Sequence, residues 1–122
     1  LKNHPLSFLL RANDRRLFCD EFGWDPVGIG SYFANGHFAG EEPEEVLQLR
    51  DHLPFMYAAD TSLDVFHHGQ IGTGTVPFER IATMLRGANV CSPTILEIVA
   101  ESPQLAINAS VEHLDSVRWP TG

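Results

Sequence analysis

Three short apolar runs dominate the hydrophobic pattern of the chain and predict its strands. The runs are Val27–Tyr32, Leu53–Ala59 and Thr94–Ala100, and each is rich in β-branched or aromatic residues with turn signals nearby. Leu1–His4 is long enough only for the end of a strand, since Pro5 stops regular pairing. The pattern therefore predicts three strands and the remnant of a fourth.

Segments with helical spacing lie between these runs. A capping residue at Asn13 or Asp14 and a stop at Gly23 delimit the first helix. Further helices are predicted over Pro43–Asp51, over Phe78–Arg86 and within Pro103–Val117, whereas Phe33–Gly40 is predicted to be irregular and Asp60–Gly74 to be a long loop.

The alternation of strands and helices is typical of parallel strands joined by crossover helices. A complete eight-stranded βα barrel needs roughly 200 to 250 residues, and this chain has 122. A small doubly wound sheet is the competing architecture, but it usually has about five strands. We therefore predict an α/β fold that is half of a TIM barrel, forming a single domain over residues 1–122.

One charged residue, Glu97, interrupts the last apolar run. Burying a carboxylate costs several kcal/mol unless a cation, a hydrogen-bond donor or a metal receives it. We therefore predict that Glu97 lies at the carboxyl-terminal mouth of its strand and faces a polar site. The alternative is a purely structural partner that balances the charge.

The net charge, the apolar runs and the cysteines of the chain indicate which partners and which cellular location to expect. The formal net charge is −8 and the isoelectric point is near 5.0, and phosphate binding relies on Lys and Arg, so a nucleic-acid partner is not expected. No apolar run approaches the roughly 18 residues that a membrane span needs, so no membrane partner is expected either. Cys19 and Cys91 are the only cysteines, and we interpret them as reduced thiols of a cytoplasmic protein.

Six short strings follow one another along the chain in the order of a known family. They are Leu1–Pro5, similar to that family's Glu-Asn-His-Pro strand end; Gly28–Asn35, similar to its strand ending in Asp-x-x-Asn or Asp-x-x-His; Gly40–Pro43, similar to its Gly-x-x-Pro; Phe55–Asp60, similar to its strand carrying His-x-x-Asp; His68–Phe78, similar to its His-x-x-x-Gly-x-Gly loop and helix; and Ile95–Ile98, similar to its final strand. Together they resemble the xylose isomerase-like sugar isomerases and epimerases. The resemblance implies the C-terminal half of a TIM barrel, from the end of strand five to the last helix.

The same resemblance implies a divalent metal, such as Mn²⁺, Mg²⁺ or Co²⁺, held by Glu, Asp, His and Glu at four strand ends. Such a metal polarises the sugar oxygens, while carboxylates transfer the proton beside the carbonyl. Here Lys2, Tyr32 and Tyr57 occupy three of those positions, and only Glu97 remains as a metal-ligand and catalytic position. An ammonium and two phenols do not replace these ligands, so we expect this chain to bind no metal. Lys2 either pairs with Glu97 or, so near the terminus, is a solvated lysine that leaves Glu97 to solvent.

Three further residues are candidates for binding substrate. His68 matches a family position that contacts substrate, and Asn35 and His37 follow a predicted strand, where they are expected to line the same mouth. The competing interpretation treats these as ordinary loop residues, and Tyr32 and Tyr57 as strand aromatics with a satisfied hydroxyl.

By resemblance, the function is isomerisation or epimerisation of a sugar, sugar phosphate or polyol. With three of the four ligand positions replaced, we expect this chain alone to be inactive. The alternative is a non-catalytic half barrel that binds a polar ligand or self-assembles. Leu1 already lies inside a predicted element, so we expect the chain to start part-way through a larger fold. Because a half barrel exposes two sheet edges, we expect a homo-oligomer or association with a missing N-terminal half.

Overall fold

A small parallel sheet joined by helices forms the centre of the molecule. A computed structural model of the chain describes residues 1–25 and 28–121. Its strands are β1 (Gly30–Tyr32), β2 (Phe55–Ala58) and β3 (Thr94–Leu96), which pair in parallel in that order. The remnant of a fourth strand is one isolated parallel bridge from Lys2 to Gly30. The predicted mixed α/β architecture, with parallel strands alternating with helices, is confirmed.

The helices lie between and after the strands. They are α1 (Ala12–Phe22) before β1, α2 (Phe33–Phe38) and a 3₁₀ helix (Pro43–His52) between β1 and β2, α3 (Phe78–Gly87) between β2 and β3, and α4 (Pro103–Ser116) after β3. The long predicted loop, Asp60–Gly74, contains no helix in the part described, and one isolated antiparallel bridge joins Asp60 to Gly69 within it.

Two element predictions are wrong for reasons of packing. Phe33–Gly40 is predicted to be irregular but contains α2, because Phe33, Ala34 and Asn35 are buried there and tertiary contacts outweigh the low helix propensity of its asparagine and glycine. The strand predicted over Thr94–Ala100 ends at Leu96, since the chain turns towards the long loop and the Val99 N–H donates to the His68 carbonyl at 2.8 Å.

Other boundaries differ in detail. The first helix is capped by Arg11 rather than by Asn13 or Asp14, and the Asp14 carboxylate instead accepts the Arg11 N–H at 3.1 Å. The helix predicted over Pro43–Asp51 is present as a 3₁₀ helix that ends one residue later, at His52. The predicted start of the first strand, Val27, lies outside the described residues.

The two faces of the sheet have different surroundings. Side chains alternate along a strand, and Met56 and Ala58 on one face of β2 are fully buried among apolar helix residues such as Leu49 and Ile81. On the other face, Ile95 is 44% exposed and Phe55 and Tyr57 are partly exposed. Polar chemistry on this second face is therefore open to solvent.

The long loop is held by one buried carboxylate, Asp60. Its oxygens accept the backbone N–H groups of Thr61 at 2.9 Å, Gly72 at 2.8 Å and Val76 at 3.1 Å. These charge-assisted hydrogen bonds satisfy the buried charge without a cation. They fix the loop that carries His68 beside the carboxyl ends of the strands.

The sequence also makes predictions about the two cysteines and about membrane-spanning segments. Cys19 is buried and Cys91 exposed, and both are free thiols. Among the helices of residues 1–25 and 28–121, none has the length and hydropathy to cross a membrane.

Candidate functional site

An ion pair crosses the open face of the sheet. The Lys2 Nζ lies 2.8 Å from the Glu97 Oε2, and the two side chains are 38% and 47% exposed. Lys2 stands beside β1 and Glu97 directly follows β3, so the two side chains extend towards each other and meet above the open face of the sheet. Hydrogen bonding from Lys2 lowers the pKa of Glu97, which keeps this group a carboxylate at neutral pH.

This arrangement corrects one prediction about Glu97 and agrees with another. The residue is not inside a buried strand, because β3 ends one residue earlier. It lies at the carboxyl end of the strand with a polar partner, and that partner is Lys2, as expected from the replaced ligand positions.

Two stacked tyrosines lie beneath the ammonium group. The Lys2 Nζ is 4.5 Å from the ring centroid of Tyr32 and 4.1 Å from that of Tyr57, and the two rings are 5.4 Å apart. Each ring face attracts a cation, typically by about 0.5–1 kcal/mol at exposed sites. A Cβ added at Gly30 would come within 3.0 Å of the Phe55 ring and 3.1 Å of the Tyr57 ring. The glycine therefore leaves room for this aromatic layer.

The Tyr32 hydroxyl is a hydrogen-bond donor rather than a candidate ligand anion. Its ring is buried, and its OH donates to the backbone carbonyl of Glu97 at 2.9 Å. Burial, with the charge of Glu97 adding to it, raises the pKa of Tyr32 well above its usual value. The phenol therefore keeps its proton and joins β1 to the residue after β3.

Two buried asparagines fix the backbone under Tyr32. The Asn3 side chain donates to the Tyr32 carbonyl at 3.0 Å and accepts the Tyr32 N–H at 2.8 Å. The Asn35 Nδ2 donates to the Asn3 carbonyl at 2.8 Å. These bonds connect the strand remnant at Lys2 to β1 and to α2, so the Lys2 side chain starts from a fixed backbone.

His68 is joined to the same network through Asn35. The His68 Nε2 lies 3.1 Å from the Asn35 Oδ1, and its ring stacks on Tyr32 at 4.5 Å. Because the Asn35 amide nitrogen already donates to Asn3, its oxygen is the acceptor and the His68 Nε2 carries the proton. Burial lowers the pKa of His68, only partly offset by Glu97, so the ring is neutral at pH 7 and its Nδ1 is an acceptor.

His37 takes a different place from the other predicted residues. Its Nε2 lies 2.9 Å from the Thr75 hydroxyl at the end of the long loop. In the part of the chain that the structure describes, no hydrogen bond connects it to the Lys2–Glu97 pair. The structure thus brings Lys2, Tyr32, Tyr57 and Glu97 together with Asn35 and His68, but not with His37.

The residues at this site do not fit a divalent metal. Glu97 is the one carboxylate at the four positions considered, and its Oε2 already bonds an ammonium group. Across residues 1–25 and 28–121, no three His, Cys, Asp or Glu side chains come together as metal ligands. Hard divalent cations need several oxygen or imidazole ligands.

Two contributors, Asn3 and Asp60, are not predicted as site residues from the sequence. Asn3 is recognisable only once Tyr32 and Asn35, at 29 and 32 positions away, are folded against it. Asp60 has a weak local signal, since an acidic residue followed by Gly72 and Gly74 suggests a carboxylate that accepts exposed loop amides.

Comparison with known proteins assigns this chain to no family. A scan against protein-family models matches none of them, and a search of the curated proteins gives no match. The site consists of a half-exposed ammonium–carboxylate pair over two tyrosine rings, next to a neutral histidine whose Nδ1 is an acceptor.

Proposed function

We propose that this chain is the C-terminal half of a xylose isomerase-like TIM barrel that binds a sugar or polyol without a metal and does not isomerise it. The observation that carries the proposal is the Lys2 ammonium, 2.8 Å from the Glu97 carboxylate and over the rings of Tyr32 and Tyr57. Parallel strands alternating with helices support a barrel origin, as does a site at their carboxyl ends, where barrel enzymes bind substrates.

Binding without catalysis follows from the protonation states of the site. A general base works best when its pKa lies near the working pH. The hydrogen bond from Lys2 moves the pKa of Glu97 further below neutrality, and burial moves the pKa of the Tyr32 hydroxyl further above it. Neither group is suited to take a proton from carbon, and the donor set does not fit the cation that would polarise a carbonyl.

The available polar atoms favour a neutral, hydroxyl-rich ligand. The His68 Nδ1 and the Glu97 Oε1 accept hydrogen bonds, and the Tyr57 hydroxyl donates or accepts. The hydroxyls of a sugar or polyol both donate and accept, which matches the chemistry of these three atoms. The net charge of −8 disfavours a phosphate-bearing ligand, and the two free thiols support a cytoplasmic setting.

Ligand titrations of the whole chain test the proposal. We expect neutral aldoses, ketoses or polyols to bind in calorimetry, with the same affinity in EDTA as with Mn²⁺, Mg²⁺ or Co²⁺. Matching sugar phosphates are expected to bind more weakly. Saturable thermal stabilisation by any of the three metals, or conversion of an aldose to a ketose, would contradict the proposal.

A matched pair of variants locates the binding to the site. Glu97→Gln removes a charged acceptor and frees Lys2, and hydrogen bonds to charged groups contribute about 1.5–3 kcal/mol, so binding should weaken roughly tenfold or more. Glu79→Gln, at an exposed position of α3, is the control and should bind like the original chain. Equal affinities for the two variants would place the ligand elsewhere.

A further inference from the structure

Within residues 1–25 and 28–121, both edges of the parallel sheet present backbone groups that pair with no further strand. In the ladder between β2 and β3, the Met56 N–H donates to the Pro93 carbonyl and the Glu97 N–H to the Ala58 carbonyl. The N–H and C=O groups of Thr94 and Leu96 consequently point away from β2. At the other edge, the Gly30 N–H donates to the Leu1 carbonyl, so the backbone groups of Lys2 point outward in the same way.

An apolar groove runs beside the β3 edge. It has a volume of about 280 Å³ and lies between β3 and α4, lined by residues that include Leu96, Val111, Leu114 and Trp119. The outer face of α4 adds Leu105, which is 70% exposed, and Val111 is 44% exposed. This edge is therefore concave and apolar.

The Lys2 edge carries projecting apolar side chains instead. Helix α1 packs on the 3₁₀ helix on one side, where Arg11 bonds Glu45 at 2.6 Å. Among its remaining side chains, Leu17 is 51% and Phe22 72% exposed. In the loop between Lys2 and α1, Leu6 is 93% and Phe8 83% exposed.

We propose that a second copy of this chain covers both edges at once. The Lys2 edge and α1 of each copy would lie against β3 and α4 of the other, related by a two-fold axis along the strands. The two edges suit this pairing for two reasons. Both edge strands run in the same direction as the rest of the sheet, so they pair in parallel, and the groove beside β3 faces the apolar side chains that project from the Lys2 edge. Counting the Lys2 remnant, two copies supply eight strands, the number that closes a barrel whose interior side chains can fill.

The exposed area is of the size that such a dimer needs. A buried phenylalanine covers roughly 150–250 Å², so Phe8 and Phe22, at 83% and 72% exposure, together offer on the order of 300 Å². A standard interface takes about 800 Å² from each partner, and the groove, the open strand edges and the remaining leucines and valines add to the phenylalanines. Closure also removes both free edges, which otherwise invite uncontrolled pairing.

The mass of the full chain in solution tests this proposal, independently of any ligand. A single copy has a mass of 13.5 kDa, so light scattering or sedimentation at about 100 μM, a hundredfold above a micromolar Kd, should give about twice that mass. Val111→Glu places a charge in the groove and should give the single-copy mass. Val65→Glu, in the long loop at 65% exposure, is the matched control and should remain a dimer.

Mixing two variants distinguishes a dimer in which the Lys2 edge pairs with the β3 edge from one in which an edge pairs with its own copy. Leu17→Glu on α1 should also be monomeric, with Leu63→Glu in the long loop as its control. Mixing the Val111→Glu and Leu17→Glu chains leaves one intact junction, so the mixture should form a dimer that is weaker than the original. Circular dichroism confirms folding, and Leu105→Glu replaces Val111→Glu if that variant unfolds.

Several outcomes would overturn the proposal. A monomeric original chain would do so, since the two edges would then need a different partner. So would a Val111→Glu chain as dimeric as the Val65→Glu control, or a mixture of the Val111→Glu and Leu17→Glu chains that stays monomeric. Open assemblies of growing mass in place of a closed dimer would also contradict it.

Discussion

Lys2 takes part in three weak interactions that share one nitrogen atom. An exposed ion pair contributes about 0.2–1 kcal/mol and each ring face a similar amount. None of these alone determines where the side chain lies. Together, with a backbone fixed through Asn3, they hold the ammonium over Tyr32 and Tyr57 and against Glu97.

His68 gives the fold a sensitivity to mild acid. Its pKa is lowered in the folded chain, mainly by burial, so the unfolded chain takes up the proton at higher pH. The stability that this histidine contributes is fully present above the usual histidine pKa of about 6.5 and is lost as pH falls through the folded pKa. We expect the free energy of unfolding to decrease below about pH 6.5.

Chemical denaturation between neutral pH and about pH 5 measures this effect. His68→Gln keeps hydrogen bonding but does not titrate, so its stability should fall less steeply over that range. His52→Gln, at an exposed histidine at the end of the 3₁₀ helix, is the control and should lose stability as steeply as the original chain. A His68→Gln chain with an unchanged slope would show that other groups dominate; His37, whose pKa burial also lowers, is the next candidate.

At the scale of elements, the long loop between β2 and α3 depends on glycine at one position. A Cβ at Gly74 would lie 2.4 Å from the Thr61 carbonyl oxygen and 2.5 Å from the Asp60 Oδ1. Gly74→Ala must therefore displace the carboxylate that holds the loop, and we expect it to lower the stability by roughly 1–3 kcal/mol, as for overpacked sites.

Gly87→Ala is the matched control for this substitution. Nothing lies within 4 Å of a Cβ at Gly87, near the end of α3. Alanine there should leave stability unchanged or raise it by up to about 1 kcal/mol, because it restricts the unfolded chain. Thermal or urea unfolding compares the two variants. Equal stabilities would mean that the loop moves freely enough to accept the added methyl group.

The order of elements could be predicted from the sequence, but their ends could not. Apolar runs and stop signals such as Gly23 report local preferences, and they locate all three strands and all helices except α2. The end of β3 at Leu96 depends on a hydrogen bond from Val99 to His68, which a local pattern does not contain. Helix α2 forms because its residues are buried by distant parts of the chain.

Some residues of the candidate site could likewise be predicted from the sequence and others could not. The pairing of Lys2 with Glu97 could be predicted only through the family resemblance, which assigns both residues to the ligand positions of one site. Asn3 could not, because its role is to bond the backbone of Tyr32, and side-chain identity says nothing about that contact. The buried Asp60 is recognised only by the amides that surround it.

For the whole molecule, charge opposes the association that the sheet edges favour. Each chain carries a formal net charge of −8, so two copies repel at long range. Salt shortens the screening length from about 10 Å at 0.1 M to 3 Å at 1 M. We expect sodium chloride in that range to tighten the dimer, measured as a lower Kd in sedimentation. A Kd that rises with salt would indicate an interface held by ion pairs instead of apolar contact.

The position of Lys2 has one more consequence, because it is the only lysine of the chain. Among the side chains of this molecule, reagents that acylate or methylate amines, and enzymes that modify lysine, have a single ε-amine to react with, and it is the ammonium of the candidate site. Such a reagent must first withdraw the amine from Glu97 and from the tyrosine rings. Acetylation would remove the charge, leave Glu97 without its cation and release the Lys2 side chain from the two rings. The labelling rate of this amine thus reports how often Lys2 leaves Glu97 and the tyrosine rings.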